Sequence, residues 1–221
     1  MHLINKIKRS ILQKKEMLSV ARLENFAFAN KHAKHPLFKE LEKEYKKYVN
    51  EISVAEMAVS YQLSVFILAY CLEYHPKTLL DLGSGFSSFV LRLYQAKIEP
   101  SAIVHSIDDD RQWLERTKNY LKQHQLNTEN VDHVDDLSAS ALHDFFDLVL
   151  LDLNFIEKRR DYIGYAIQKL KPPGILLIDD VHKVEFLREV KSSAKKGGHT
   201  LYNIKKETFD QFGRFAIALK K

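Results

Sequence analysis

From Lys77 onward, short apolar runs alternate with longer amphipathic stretches, and this alternation constrains the fold of the 221-residue chain more than any other feature. Strands are predicted at Thr78–Leu82, Ala102–Ile107, roughly Asn130–Val134, Phe146–Leu151 and Ile175–Ile178. Near-continuous apolar strands are what a parallel sheet covered on both faces requires. Helices are predicted between them at Ser87–Ala96, Asp110–Gln125, near Ser138–His143 and at Lys158–Lys171, with Pro172-Pro173-Gly174 as the stop before the fifth strand. A further helix over Val184–Lys195 ends at Gly197-Gly198. Two last strands, His199–Asn203 and Gly213–Leu219, read as a closing hairpin whose final strand runs antiparallel. The expected fold is a three-layer α/β sandwich on a mostly parallel seven-stranded sheet.

Residues 1–75 read as an N-terminal helical extension or cap, and 76–221 as the α/β domain. Ile4, Ile7, Ile11 and Leu12 recur at helical spacing and imply a buried stripe, as do Leu37, Leu41, Tyr45, Tyr48 and Val49. Pro36 suits the first turn of that second helix. Ser53 and Glu56 have capping-box spacing for a third helix running to about Tyr74, which Pro76 stops. Residues 1–50 hold 12 Lys/Arg against 5 Glu, so the net charge of +5 belongs to the extension. Such a segment can serve as a contact for nucleic acid or a membrane surface, but it more simply reads as the solvated face of amphipathic helices. Cys71, the single cysteine, excludes an internal disulfide framework and fits a reducing, cytoplasmic setting. No apolar run approaches membrane-spanning length, and the basic N-terminus lacks the apolar core of a signal peptide.

Chemistry concentrates where predicted strands end. Leu79-Leu80-Asp81-Leu82-Gly83-Ser84-Gly85 runs a strand into a glycine turn that opens a helix, a geometry that lets a ligand lie against the main chain. The third glycine of the dinucleotide fingerprint is replaced by Ser88, and no Lys or Arg follows until Arg92. A carboxylate two residues before the first glycine suits a cationic ligand better than a pyrophosphate. The second predicted strand ends in Asp108, followed by Asp109 and Asp110. A carboxylate at that place can accept both ribose hydroxyls of an adenosine, while Asp110 is placed to cap the next helix.

These segments, with Val134-Asp135-Asp136, Phe146–Asp152 and Leu170–Asp180 in the same order, resemble the class I S-adenosylmethionine-dependent methyltransferases, which are Rossmann-like. The resemblance covers residues 77–219. It implies S-adenosylmethionine as cofactor, held by Asp81 and the Gly83-Ser84-Gly85 backbone at the methionine end, by Asp108 with Asp109 at the ribose and by Asp135 at the adenine. Ser87 departs from the family's frequent third glycine, and Asp136 from a common small residue. A narrower similarity links Asp152, Asp179 and Asp180 to metal-dependent O-methyltransferases, in which acids at these strand ends hold a divalent cation; the lysine that follows closely there is missing, and Lys158 comes six residues on.

The acceptor expected is a small molecule, with O-methylation one reading; the motifs do not fix whether the acceptor atom is O, N or C. Asp152, Asp179, Asp180 and His182 are the candidates to take its proton or orient it. Trp113 is placed to border the adenine or to pack, Tyr61 and Gln62 to line the acceptor pocket, and His105 to pack within its strand. Two other readings remain at this stage. One is an NAD-linked oxidoreductase, and the other a non-catalytic scaffold that uses the basic helices.

Overall fold

A computed structural model of the chain describes residues 2–20, 31–32, 34–136 and 145–221, with the side chains of 2–7 and 9 outside the description. Three helices precede the sheet: α1 (His2–Leu18), α2 (Leu37–Glu51) and α3 (Tyr61–Tyr74). Then follow β1 (Thr78–Leu82), α4 (Phe86–Lys97), β2 (Ile103–Asp108), α5 (Arg111–Gln123), β3 (Val131–His133) and β4 (Phe146–Leu151). The chain closes with α6 (Ile156–Lys169), β5 (Leu170–Ile178), α7 (Val184–Lys196), β6 (Thr200–Asn203), the single turn α8 (Lys205–Thr208) and β7 (Ile217–Lys220).

The seven strands form one sheet in the order β3-β2-β1-β4-β5-β7-β6. The first five are parallel, and β7 inserts antiparallel between β5 and β6. The expected Rossmann-like α/β sandwich with its antiparallel last strand is therefore the observed fold. Side-chain alternation divides the core between two faces. Leu79, Leu148, Leu150, Ile175 and Leu177 pack with α2, α3, α4 and α5 on one face. Leu80, Leu82, Val149, Leu151, Leu176 and Ile178 pack with α6 and α7 on the other. Apolar residues on both faces are why these strands read as unbroken runs.

Four local expectations need correction. The third helix begins at Tyr61, not Ser53: the Ser60 hydroxyl accepts from Leu63 N at 3.1 Å and caps it. Residues 52–60 form an irregular connection instead. Of the predicted stripe of α1, the side chains of Ile4 and Ile7 lie outside the description, and the other two members are not buried: Ile11 is 60% and Leu12 41% exposed, while Met17 and Val20 are buried. The helix is anchored at its C-terminal end, where Glu16 pairs with Arg188 and Lys191 of α7. The fifth strand starts at Leu170 and runs through the prolines, because β4 offers it pairing from Phe146 onward. The third strand is only three residues long and gives way to a 3₁₀ turn at Val134–Asp136. The short helix expected near Ser138–His143 lies outside the described residues. Among those described, no helix is long and apolar enough to cross a membrane.

Candidate active site

The glycine turn fixes the geometry between β1 and α4. Gly83 has φ +119°, and a β-carbon there would come 2.5 Å from the carbonyl oxygen of Asp152. That crowding arises because β1 and β4 end side by side, with Asp152 N donating to Leu82 O at 2.7 Å. Gly85 has φ +137° and lies under two α-helical side chains, a β-carbon there reaching 3.0 Å from the Tyr48 hydroxyl and 3.4 Å from Trp113 Nε1. Both positions need the conformational freedom of glycine. Trp113 itself donates through Nε1 to Ser84 O at 2.7 Å, so the indole both packs and borders the turn.

Two carboxylates flank the turn in different surroundings. Asp108 ends β2 and accepts Ser84 N at 2.6 Å and Asp110 N at 3.0 Å. Burial pushes its carboxyl above the usual range, against the pull of these two N–H donors. Asp110 caps α5 as expected, accepting from Gln112 and Trp113. Asp81 is fully buried behind the turn and takes the hydroxyls of Ser87, Ser88 and Ser106 on one oxygen at 3.1, 2.7 and 3.2 Å. Burial pushes it up to about 7, opposed first by the Ser88 hydroxyl and the Arg92 charge. Arg92 is buried as well and bonds Ser106 Oγ at 2.7 Å and Glu129 O at 3.1 Å, so the first cation after the turn faces the interior.

A cavity of about 490 Å³ opens over this turn at the strand C-termini. Of the sequence candidates, Ser84, Gly85, Asp108, Trp113 and Asp152 line it. Gly83 and Asp81 stand behind its wall. Asp109 lies off the wall, its carbonyl taken by His133 at 3.1 Å and its carboxylate 4.0 Å from Lys158. Asp135 is 75% exposed in its side chain and sits 3.4 Å from His133, while Asp136 pairs with Arg111 at 2.6 Å. Tyr61 and Gln62 do not reach the cavity, because the helix carrying them starts later than expected; Tyr61 packs on Tyr45 instead. The cover comes from the end of α2 and from residues 52–54 and 57–59. His105 packs edge-on against Phe146 inside the sheet.

Arg159, which sequence reading overlooked, also lines the cavity. Its guanidinium joins Asp152 at 2.7 Å and Asp180 at 2.9 Å, and also donates to Leu153 O at 2.6 Å and Asn154 O at 3.1 Å. The only sequence signal for it is its place one turn into the helix that follows β4. Asp179 and Asp180 lie behind this pair, with Asp180 N donating to Asp179 Oδ1 at 2.7 Å. His182 Nδ1 stands 3.3 Å from Asp180 Oδ1. Burial pushes Asp152 up to about 6 against the Arg159 charge, and Asp179 up to about 8 with the charges of Asp152 and Asp180 adding to it. Burial also acts on Asp180, but His182 and Arg159 outweigh it and hold this carboxyl well below the usual range. Among the described residues, no group of three or more His, Cys, Asp or Glu is arranged to hold a metal ion. A guanidinium already bridges Asp152 and Asp180.

Comparison with known proteins agrees with this architecture. A search of curated proteins found no match. Among solved structures, the O-methyltransferase TomG of Streptomyces achromogenes, involved in tomaymycin synthesis and bound to SAM, superposes with a TM-score of 0.58 at 17% identity, over 95% of this chain and 94% of that one. An O-methyltransferase from Bacillus cereus in complex with SAH gives 0.60 at 13% identity, over 85% and 92%. Cofactor-bound Rv0187 from MTB gives 0.61 at 17% identity, over 86% and 93%. At such identities these likenesses speak for the fold. The family model for the methyltransferase domain matches residues 75–216, from before the first strand to the start of the last, and the chain therefore belongs to the methyltransferase-domain family, on the Rossmann-like class I scaffold.

Proposed function

We propose that the chain transfers the methyl group of S-adenosylmethionine to a hydroxyl of a small, largely apolar acceptor, without a metal ion. The observation that carries this reading is one cavity lined by the Ser84-Gly85 turn and Asp108 together with Asp152 and Arg159. Its size falls in the range of about 300–1,000 Å³ usual for small-ligand pockets.

The residues present suit the cofactor. Positive φ at Gly83 and Gly85 leaves the main chain bare of side chains at the turn, and Asp108 keeps acceptor capacity for a pair of ribose hydroxyls beyond the two N–H groups it already holds. When bound, the cofactor supplies a methyl carbon activated by its sulfonium. The protein's work is then to align the acceptor, exclude water and take up a proton. Ile52, Val54, Met57 and Val59 give the cavity an apolar wall for the acceptor. Asp152 lines the same cavity, and a carboxyl pushed up to about 6 is well matched to accept a hydroxyl proton near neutrality. Arg159 holds Asp152 in place and takes up the charge that a cation would otherwise balance.

Calorimetry with S-adenosylhomocysteine and with NAD, followed by transfer assays with and without EDTA, tests the reading. Binding of the first ligand alone is expected, and Asp108→Ala should weaken it by about 1.5–3 kcal/mol. Methyl transfer should be indifferent to chelation, and Asp152→Asn should lower kcat by about 10²-fold or more. Preference for NAD would overturn the cofactor assignment; activity lost with EDTA and restored by a divalent ion would overturn the metal-free mechanism.

A further inference from the structure

The floor of the cofactor end is built by the glycine turn, but its roof is built by α2, which lies outside the family's matched segment. Tyr48 sits on that helix with 1% of its surface exposed. Its ring is wedged between Phe86, at 5.2 Å between centroids, and Tyr120, at 4.9 Å. Tyr48 lines the cavity; its buried hydroxyl lies over Gly85, 3.0 Å from where a β-carbon would stand, and among the described residues it has no hydrogen-bond partner. A buried hydroxyl without a partner is a costly arrangement that packing alone does not require, since phenylalanine would fill the same space.

We infer that Tyr48 is a cofactor-binding residue whose hydroxyl donates to the carboxylate at the amino-acid end of S-adenosylmethionine. This rests on the cofactor assigned above. Burial, with Asp108 and Asp81 close by, pushes the phenol far up, so the group is a neutral donor at any working pH. The end of the ligand that offers hydroxyls is met by Asp108, which can only accept. A donor above Gly85 is left for a group that can only accept, and a carboxylate is such a group. The strand-turn-helix segment brings no Lys or Arg to this wall, because Arg92 is buried and engaged elsewhere. A neutral donor from α2 therefore does what a cation does in other carboxylate sites. Arg116, lying over the Trp113 ring at 5.9 Å, adds positive potential at the same end. Tyr48 thus ties the helical extension to cofactor binding and makes α2 part of the site.

The test compares wild type, Tyr48→Phe and Tyr120→Phe by calorimetry with S-adenosylhomocysteine and with 5′-methylthioadenosine, which lacks the amino-acid end. Among the described residues the Tyr120 hydroxyl is also buried without a partner, but it is off the cavity wall and so controls for packing. Tyr48→Phe is expected to bind S-adenosylhomocysteine about tenfold more weakly or worse, to bind methylthioadenosine as wild type does, and to melt no lower without ligand. Tyr120→Phe should change neither affinity. Wild-type affinity for S-adenosylhomocysteine in Tyr48→Phe overturns the inference and leaves the cofactor reading intact. Equal losses for both ligands, or equal losses in both variants, also overturn it. A wild type that binds neither ligand removes the cofactor reading, and this inference falls with it.

Discussion

Asp179 is 4% exposed, and burial with the charges of Asp152 and Asp180 pushes its carboxyl from an ordinary 3.8 up to about 8. Below about pH 4 both folded and unfolded chains hold its proton. Between that point and about pH 8 only the folded chain does, so its contribution to stability is full at the acid end and is lost as pH rises through the window. Asp81 acts in the same sense, with a window closing near 7. Asp180 acts in the opposite sense, since its carboxyl is held low and its stabilisation is lost only in acid. Asparagine at position 179 would mimic the protonated acid and keep an oxygen for Asp180 N. Asp179→Asn is therefore expected to raise the melting temperature at pH 8 and to flatten its fall between pH 5 and 8. A mutant whose melting curve tracks wild type across that range would show that Asp179 carries no such proton. The acids themselves were legible in the sequence, because strand C-termini in a parallel sheet gather whatever follows them. Arg159 was not, because its pairing depends on how α6 folds back over β4, which no spacing along the chain encodes.

The connection over residues 52–60 shows why element boundaries can mislead. Ser53 and Glu56 have the spacing of a capping box, yet the helix waits for Ser60. The carbonyls of Ala55, Glu56 and Ala58 are taken by Arg214 at 2.9, 2.7 and 3.1 Å, from a residue more than 150 positions downstream. Arg214 is itself steadied by Asp210 at 2.6 Å. Backbone acceptors that a helix would have satisfied internally are thus satisfied by one distant guanidinium, and a local pattern cannot reveal that. The same connection lines the cavity with the apolar wall proposed for the acceptor, so Arg214 would position that wall rather than touch the chemistry. Replacing it with glutamine should speed amide exchange over residues 54–59. It should also raise KM for the acceptor while leaving S-adenosylhomocysteine affinity within about twofold, since a loosened wall removes binding at one end of the cavity only. Unchanged exchange in that segment would show that the wall is held by other means.

At the scale of the whole molecule, the residues before the sheet do not behave as one appended piece. The change of period at Lys77 made the sheet legible, and the helical spacing made α2 and α3 legible as helices. Which face each helix covers was not, because an apolar stripe says that something is buried and not against what. The helices α2 and α3 supply Leu41, Tyr48, Leu63, Phe66, Ile67 and Leu68 to the core on one face of the sheet. Of the described side chains of α1 and the turn after it, Met17 and Val20 are the buried apolar ones, and they join the core on the opposite face. Ion pairs from Glu16 to Arg188 and Lys191 are partly exposed and add little. Removing residues 1–20 should therefore leave a cooperative melt, lowered by the loss of two buried side chains at about 1.5–3 kcal/mol each as an upper bound. At about 2–4 °C per kcal/mol for a chain of this size, that is a shift of about 6–24 °C. Removing residues 1–75 is a different operation. It uncovers Leu79, Phe86, Phe89 and Leu148, which α2 and α3 help to bury, and takes the Tyr48 roof from the cofactor end. That fragment should show no cooperative transition and no S-adenosylhomocysteine binding. A fragment of residues 76–221 that melted cooperatively and bound the ligand would mean that the matched family segment folds and works alone, and that α2 only covers it.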